Sequence, residues 1–281
     1  MNIPFTKMHG AGNDFALLDG RNALADDLGP LARSMGDRHL GVGFDQLLVV
    51  RNGSAHPFKM EIWNADGSRA EMCGNGIRCF AKWLFDEQEI SVGVIHVETD
   101  GGVRRLDVSG YENGSFNASV GMGVPDFEPS HIPMKVDRAR TPTTINIEGR
   151  EVTVTGVSMG NPHAVAFQSD VDAFPLSEIG PLVEDHPIFP ERVNFEIVHV
   201  KKEGGHLITR VWERGAGLTL ACGTGAAASA AVAIRAGKTP PGDVVVNMPG
   251  GVLHVTWWGD DNELILRGPA VTVFDSVWQT A

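Results

Sequence analysis

The feature that most constrains this chain is that it carries one arrangement twice. Met72-Cys73-Gly74-Asn75-Gly76 precedes the apolar run Ile77-Arg78-Cys79-Phe80-Ala81-Lys82-Trp83-Leu84, and Ala221-Cys222-Gly223-Thr224-Gly225 precedes the alanine-rich run 226–233. Upstream of each cysteine a strand-like stretch ends in Trp and a polar residue. These are Met60-Glu61-Ile62-Trp63-Asn64 and Thr209-Arg210-Val211-Trp212-Glu213, and 73−64 and 222−213 both equal 9. Further back, Gly12-Asn13 matches Gly160-Asn161, and Gln46 matches Asn194. The differences 161−13 and 194−46 both equal 148, while 222−73 equals 149. Four polar positions recurring in one order at a near-constant offset point to duplicated domains, since the period is far too long for a solenoid unit.

The expected fold is therefore α/β in the α+β sense: two pseudo-symmetric domains, each a curved, mostly antiparallel sheet or barrel wrapped around a central helix. We place the first at 1–121, completed by 268–281, and the second at 122–267, with the functional site in the cleft between them. Strand signals fall at 44–50, 93–99, 104–109, 151–157, 164–167, 194–200, 244–247 and 264–266, separated by turn dipeptides such as Asn52-Gly53, Asp66-Gly67 and Asn113-Gly114. The strongest helix signals follow the two cysteines; weaker ones lie at 28–36 and 176–183. The proline-rich stretch 125–142 reads as the connection.

A length of 281 residues suits two domains. A net charge of −12 without a basic cluster argues against a nucleic-acid partner. Neither a signal peptide nor a membrane span is expected. Three cysteines without a Cys-x-x-Cys argue for a reducing, cytoplasmic setting and against a disulfide framework or a zinc ribbon, so no metal is expected.

Each cysteine stands where a helix should begin. A helix start offers unpaired N–H groups and partial positive charge, which favour a thiolate and also bind anions such as a carboxylate. Two such thiols around one carbon could serve as base and acid on opposite faces, as a racemase or epimerase requires. A lone cysteine is more often a small buried hydrophobe; Cys79, inside an apolar helix run, reads that way. The recurrence favours chemistry for Cys73 and Cys222. It also turns Asn13, Asn64, Asn161 and Asn194 from ordinary turn residues into candidates for a polar cleft. Glu213 and Arg214, between a strand and a glycine-rich loop, could hold an amino acid's ammonium and carboxylate. His163 could accept or relay a thiol's proton. No pyridoxal lysine site stands out, so no cofactor is expected, and helix-start N–H groups would have to stabilise the charge that grows on the α-carboxylate.

These motifs resemble the diaminopimelate epimerase family over nearly the whole chain. The matching segments are Lys7-Met8-His9-Gly10-Ala11-Gly12-Asn13-Asp14-Phe15, Asn64-Ala65-Asp66-Gly67-Ser68, Cys73-Gly74-Asn75-Gly76, Gly160-Asn161-Pro162-His163, Arg192-Val193-Asn194-Phe195, Glu213-Arg214-Gly215-Ala216-Gly217 and Ala221-Cys222-Gly223-Thr224-Gly225. The resemblance implies cofactor-independent conversion of LL- to meso-diaminopimelate by a homodimer that closes its domains on substrate. It implies Cys73 as base for the D centre and Cys222 for the L centre. Gly74, Asn75, Gly223 and Thr224 would bind the reacting α-carboxylate. Asn13, Gln46, Asn64, Asn161, Asn194, Glu213 and Arg214 would hold the rest, with Arg214 on the distal carboxylate, and His163 and Glu213 would tune the thiols. Phe274 stands where some relatives place a tyrosine linked to dimer contact. Three other readings stay open: a proline-type racemase, a non-catalytic amino-acid-binding protein, and a thiol redox switch.

Overall fold

The structure, a computed structural model, describes residues 2–22, 24–136, 142–201 and 204–279. Part of the expected connection, 137–141, lies outside them. The chain forms two compact units, Met1–Gly121 with Arg267–Ala281, and Met122–Leu266.

In chain order the first unit contains β1 (Asn2–Gly10), β2 (Asn13–Asp19), α1 (Gly29–Gly36), β3 (Gln46–Asn52), β4 (Phe58–Asn64), β5 (Arg69–Ala70), α2 (Gly74–Asp86), β6 (Gly93–Thr99), β7 (Gly102–Glu112) and β8 (Ser115–Gly121). The second contains β9 (Thr143–Ile147), β10 (Arg150–Ser158), β11 (Pro162–Phe167), α3 (Leu176–Glu184), β12 (Asn194–Val200), β13 (His206–Glu213), β14 (Gly217–Thr219), α4 (Gly223–Arg235), β15 (Gly242–Met248) and β16 (Gly251–Trp257). Then β17 (Ile265–Gly268) spans the boundary, and β18 (Val271–Gln279) returns to the first unit to pair antiparallel with β1.

The same ladder is built in each unit. A parallel pair, β2 with β3, places Phe15 opposite Gln46; its counterpart, β11 with β12, places His163 opposite Asn194. The antiparallel pair β3–β4 sets Leu47 against Trp63, and β12–β13 sets Phe195 against Trp212. Parallel pairing resumes between β4 and β6 at Phe58 and Val97, and between β13 and β15 at Leu207 and Val246. The offset is 148 through β3 and β12 (195−47) and 149 afterwards (212−63, 246−97). One extra residue in the second hairpin therefore accounts for the slip seen in the sequence, and every later position stays in register.

The helices after the cysteines form the centre of each unit. α2 packs against β1, β2, β3, β7, β8 and β18, and α4 against β10, β11, β12, β13, β15 and β16. A helix surrounded by strands must be apolar or small on nearly every face. α4 meets this with alanine: Ala226, Ala227, Ala228, Ala230, Ala231 and Ala233 are all fully buried. In α2 the buried set includes Ile77, Cys79, Phe80, Ala81 and Leu84, together with the guanidinium of Arg78. Separate clusters flank the smaller helices: Leu28, Met35, Phe44 and Trp63 around α1, and Ile179, Val183, Phe189 and Phe195 around α3.

Two strand expectations shift. The strand expected at 44–50 begins only at Gln46, because Asp45 N–H is turned onto Asp14 and Phe44 fills the core instead. The strand expected at 264–266 runs over Ile265–Gly268. Leu264 is held back by a reciprocal pair of bonds, its N–H to Gly123 O and its O from Met122 N–H, both 2.8 Å.

Candidate active site

The candidate residues fall into two half-sites, one per unit. In the first, Cys73 is the N-cap of α2. Its backbone is extended (φ −142°, ψ 113°) and its Sγ accepts from Gly76 N–H at 3.3 Å. Sulfur thus takes the place usually given to a serine or aspartate oxygen. The β1–β2 turn lies beside it. Ala11 and Gly12 both have positive φ, 53° and 83°, which reverses the chain so that Asn13 reaches the helix start. Asn13 Oδ1 receives Cys73 Sγ at 3.5 Å and Asn75 Nδ2 at 3.4 Å. Gly10 lets this packing be close: a Cβ there would stand 3.3 Å from Asn75 Cβ and 3.2 Å from Pro269 O, so the neighbours would have to shift slightly.

Asn13 is itself oriented. Its Nδ2 donates to Asp45 Oδ2 at 2.8 Å, and Arg38 bridges Asp45 and Asp14 at 2.7 and 2.8 Å, with Lys7 on Asp14 at 2.6 Å. Burial opposes ionisation of Asp14, but hydrogen bonds from Arg38 and Lys7 outweigh it and hold the carboxyl below its usual range. Gln46 Nε2 donates to Asn64 Oδ1 at 3.0 Å, and Asn64 Nδ2 to Ser68 Oγ at 3.0 Å.

In the second half-site Cys222 caps α4 in the same way (φ −125°, ψ 121°), with Gly225 N–H on Sγ at 3.3 Å. Thr224 Oγ1 lies 3.3 Å from Sγ and accepts from Asn161 Nδ2 at 3.4 Å. Asn161 Oδ1 meets His163 Nε2 at 3.0 Å, and His163 Nδ1 meets Glu196 Oε1 at 2.7 Å; His163 and Glu196 are completely buried. Glu213 accepts from Thr219 Oγ1 and shares a hydrogen bond with Cys222. Burial raises the pKa of both carboxyls, Glu196 and Glu213.

The consequence for Cys222 differs from what a helix start alone suggests. Burial pushes its thiol well above the ordinary range, and the charges of Glu213 and Glu196 push it further; Thr224 and Gly225 N–H offset this only in part. Desolvation and two carboxyls overcome the helix-start effect, so Cys222 is set to hold its proton.

Asn194 and Arg214 meet the same loop. Asn194 Nδ2 donates to Pro162 O at 2.8 Å and Asn194 Oδ1 accepts Arg214 N–H at 2.9 Å, clamping the β11 start to the loop after β13. The Arg214 side chain is exposed and bonds Glu191 O at 3.1 Å. Phe274 is half-exposed on β18 and meets the Phe5 ring edge-on at 6.1 Å.

Two buried groups at these half-sites were not among the candidates from sequence: Glu196 and Arg78. The register could have found the first. Glu196 occupies the position of Leu48 (196−48 = 148), a carboxyl between the apolar Phe195 and Ile197. Arg78 corresponds to Ala227 (227−78 = 149) and interrupts an apolar helix run. All three cysteines are free thiols. Among the described residues no group of three or more His, Cys, Asp or Glu side chains could hold a metal ion, and no helix is long and apolar enough to cross a membrane.

The family model described as diaminopimelate epimerase matches residues 5–128 and 155–273. A protein named diaminopimelate epimerase from Pseudomonas syringae pv. syringae is 44% identical over 278 residues, covering 98% of each chain. One of the same name from Acetivibrio thermocellus is 42% identical over 272 residues and 96% of each chain. Among solved structures, a hydroxyproline epimerase from Agrobacterium vitis superposes with a TM-score of 0.72 at 15% identity, covering 98% of this chain and 92% of the other. A phenazine biosynthesis protein from Bacillus anthracis gives 0.72 at 14% identity over the whole of both chains. These two establish likeness of fold alone.

Proposed function

The chain belongs to the diaminopimelate epimerase family, and from that premise we propose that it interconverts LL- and meso-2,6-diaminopimelate without a cofactor, as a step toward lysine and peptidoglycan precursors. The observation that carries the reading is the pair of N-capping cysteines, Cys73 and Cys222, each with a helix N–H on its sulfur. In this mechanism one thiolate removes the α-proton while the other thiol delivers a proton to the opposite face. Burial and the neighbouring carboxyls raise the Cys222 thiol and favour its protonated form in the free protein. On the L centre Cys222 is the base and Cys73 the acid, and the roles exchange when the reaction runs the other way.

The carbanion needs its charge spread into the α-carboxylate. N–H groups at the two helix starts, with Asn75 and Thr224, supply donors that meet this charge as it develops. Asn13, Gln46, Asn64, Asn161, Asn194 and Glu213 complete the polar lining, and Arg214 takes the distal carboxylate through paired hydrogen bonds. Glu213 tunes Cys222, and His163 acts with it in setting the proton balance of the pair. We place this work in the cytoplasm, where thiols stay reduced. We also propose a homodimer, supported by the exposed apolar residues Val271, Val273, Phe274 and Val277 along β18.

Proton NMR of LL-diaminopimelate with the reduced protein tests the reading: meso product should form. A protein that inverts proline or hydroxyproline but not diaminopimelate would overturn the choice of substrate. A protein that binds diaminopimelate without any α-proton exchange would overturn the reaction.

A further inference from the structure

One turn past the Cys73 cap, Arg78 is completely buried. Nη1 donates to Gly74 O at 2.8 Å and Nη2 to Asn75 Oδ1 at 2.7 Å. Its Nε has no partner, and among the described residues no carboxylate pairs with it. Burial pulls its pKa down only to about 10, so the group is charged at neutral pH. An arginine kept for stability alone would find a carboxylate or run its head out to water, because an uncompensated buried charge is costly. Here both bonds are spent on the first two residues of the helix that Cys73 caps.

The chemistry of the two partners makes the Asn75 contact informative. A guanidinium only donates, whereas a carboxamide has a donor end and an acceptor end of nearly equal shape. The bond from Arg78 fixes the oxygen of Asn75 on the guanidinium and leaves its NH2 on Asn13 Oδ1, the acceptor shared with Cys73 Sγ. The second unit needs no such lock. It has Ala227 in place of Arg78 and Thr224 in place of Asn75, and a hydroxyl can donate or accept as required.

Resting on the function proposed above, we infer that Arg78 is a positioning residue: it never meets substrate, but fixes the amide orientation of Asn75 so that its NH2 meets Asn13 beside Cys73 and the start of the helix is held in place for the reacting α-carboxylate. The test is a double-mutant cycle of Arg78→Met and Asn75→Ala, read as kcat/KM for LL-diaminopimelate. Arg78→Met should lower kcat/KM by about tenfold or more in the otherwise native protein and change it little once Asn75 is alanine. Losses that multiply independently would overturn the role. Asn75→Asp covers the case in which Arg78→Met does not fold. It keeps an acceptor for Arg78 but puts an oxygen where Asn13 Oδ1 had received an N–H, so a folded protein should result whose kcat/KM falls by about tenfold or more. An Asn75→Asp protein as active as the native one would overturn the role. A native protein that turns over no diaminopimelate would remove the proposed function and this role with it; an active native protein with a multiplicative cycle would remove this role alone.

Discussion

The two half-sites share a backbone and differ in charge. Around Cys73 the equivalent positions carry Phe15, Leu48, Asn64 and Arg78; around Cys222 they carry His163, Glu196, Glu213 and Ala227. The cap geometry is common, with the same 3.3 Å N–H to sulfur contact in both. The surroundings put a buried cation near one thiol, and a buried carboxyl and a half-buried one near the other. The two frames are thus equivalent in backbone, and the differences at four positions give the two cysteines different electrostatic surroundings. In the proposed reaction the base and the acid must differ in protonation when substrate arrives, and unequal surroundings supply such a difference.

The largest effect should come from removing either sulfur. Cys73→Ser and Cys222→Ser should each lower the epimerisation rate by at least about a hundredfold, the scale of a lost acid–base group. If either variant keeps near-native turnover, the two half-sites are not partners in one reaction.

Next is the carboxyl that has no counterpart in the first unit. Glu196→Leu copies Leu48 but leaves His163 Nδ1 buried without its partner, which should cost about 1–3 kcal/mol. The double variant Glu196→Leu with His163→Phe copies both first-unit residues and should recover much of that loss, because an apolar pair can replace a buried polar pair at little cost. Urea midpoints at unchanged m decide this. A double variant less stable than the single one would mean the two frames are not equivalent in packing.

Somewhat smaller is the contrast between the cap glycines. A Cβ on Gly225 would lie 2.8 Å from Glu196 Oε1, an oxygen fixed by His163; a Cβ on Gly76 would lie 3.1 Å from the end of the Leu48 side chain. Gly225→Ala should therefore lose more thermal stability than Gly76→Ala, within the roughly 1–3 kcal/mol typical of overpacking. Equal losses would show that the carboxyl yields as readily as the leucine.

The smallest effect is a shift in titration. The Glu213 charge raises the Cys222 thiol, so Glu213→Gln should move alkylation of Cys222 by iodoacetamide to lower pH, with Cys73 alkylation as the internal reference. A shift to higher pH, or none, would remove Glu213 from the control of Cys222.

Much of this was legible in the sequence because the signals were local and repeated. The Cys-Gly-x-Gly turns announced their helices, and the recurring Trp-polar strand ends fixed the frame. Less legible were features that depend on which strand lies beside which helix. Glu196 reads as one polar residue among Phe195, Ile197 and Val198 until the parallel register with β11 sets it next to His163. Arg78 reads as a stray charge in a helix until the helix is seen enclosed by strands, where its guanidinium has only Gly74 and Asn75 to meet. The opposite-direction effect on Cys222 was hidden for the same reason: helix-start chemistry is visible in sequence, while desolvation by packed neighbours is not.

The most direct measurement follows deuterium in D2O during the first few per cent of conversion of LL-diaminopimelate by the reduced protein. With two thiols acting on opposite faces, meso product should carry a solvent deuteron at the inverted centre, while the remaining LL substrate keeps its proton. Product that retains the substrate's own α-hydrogen would mean a single base returning what it removed, and would contradict the division of labour between Cys73 and Cys222.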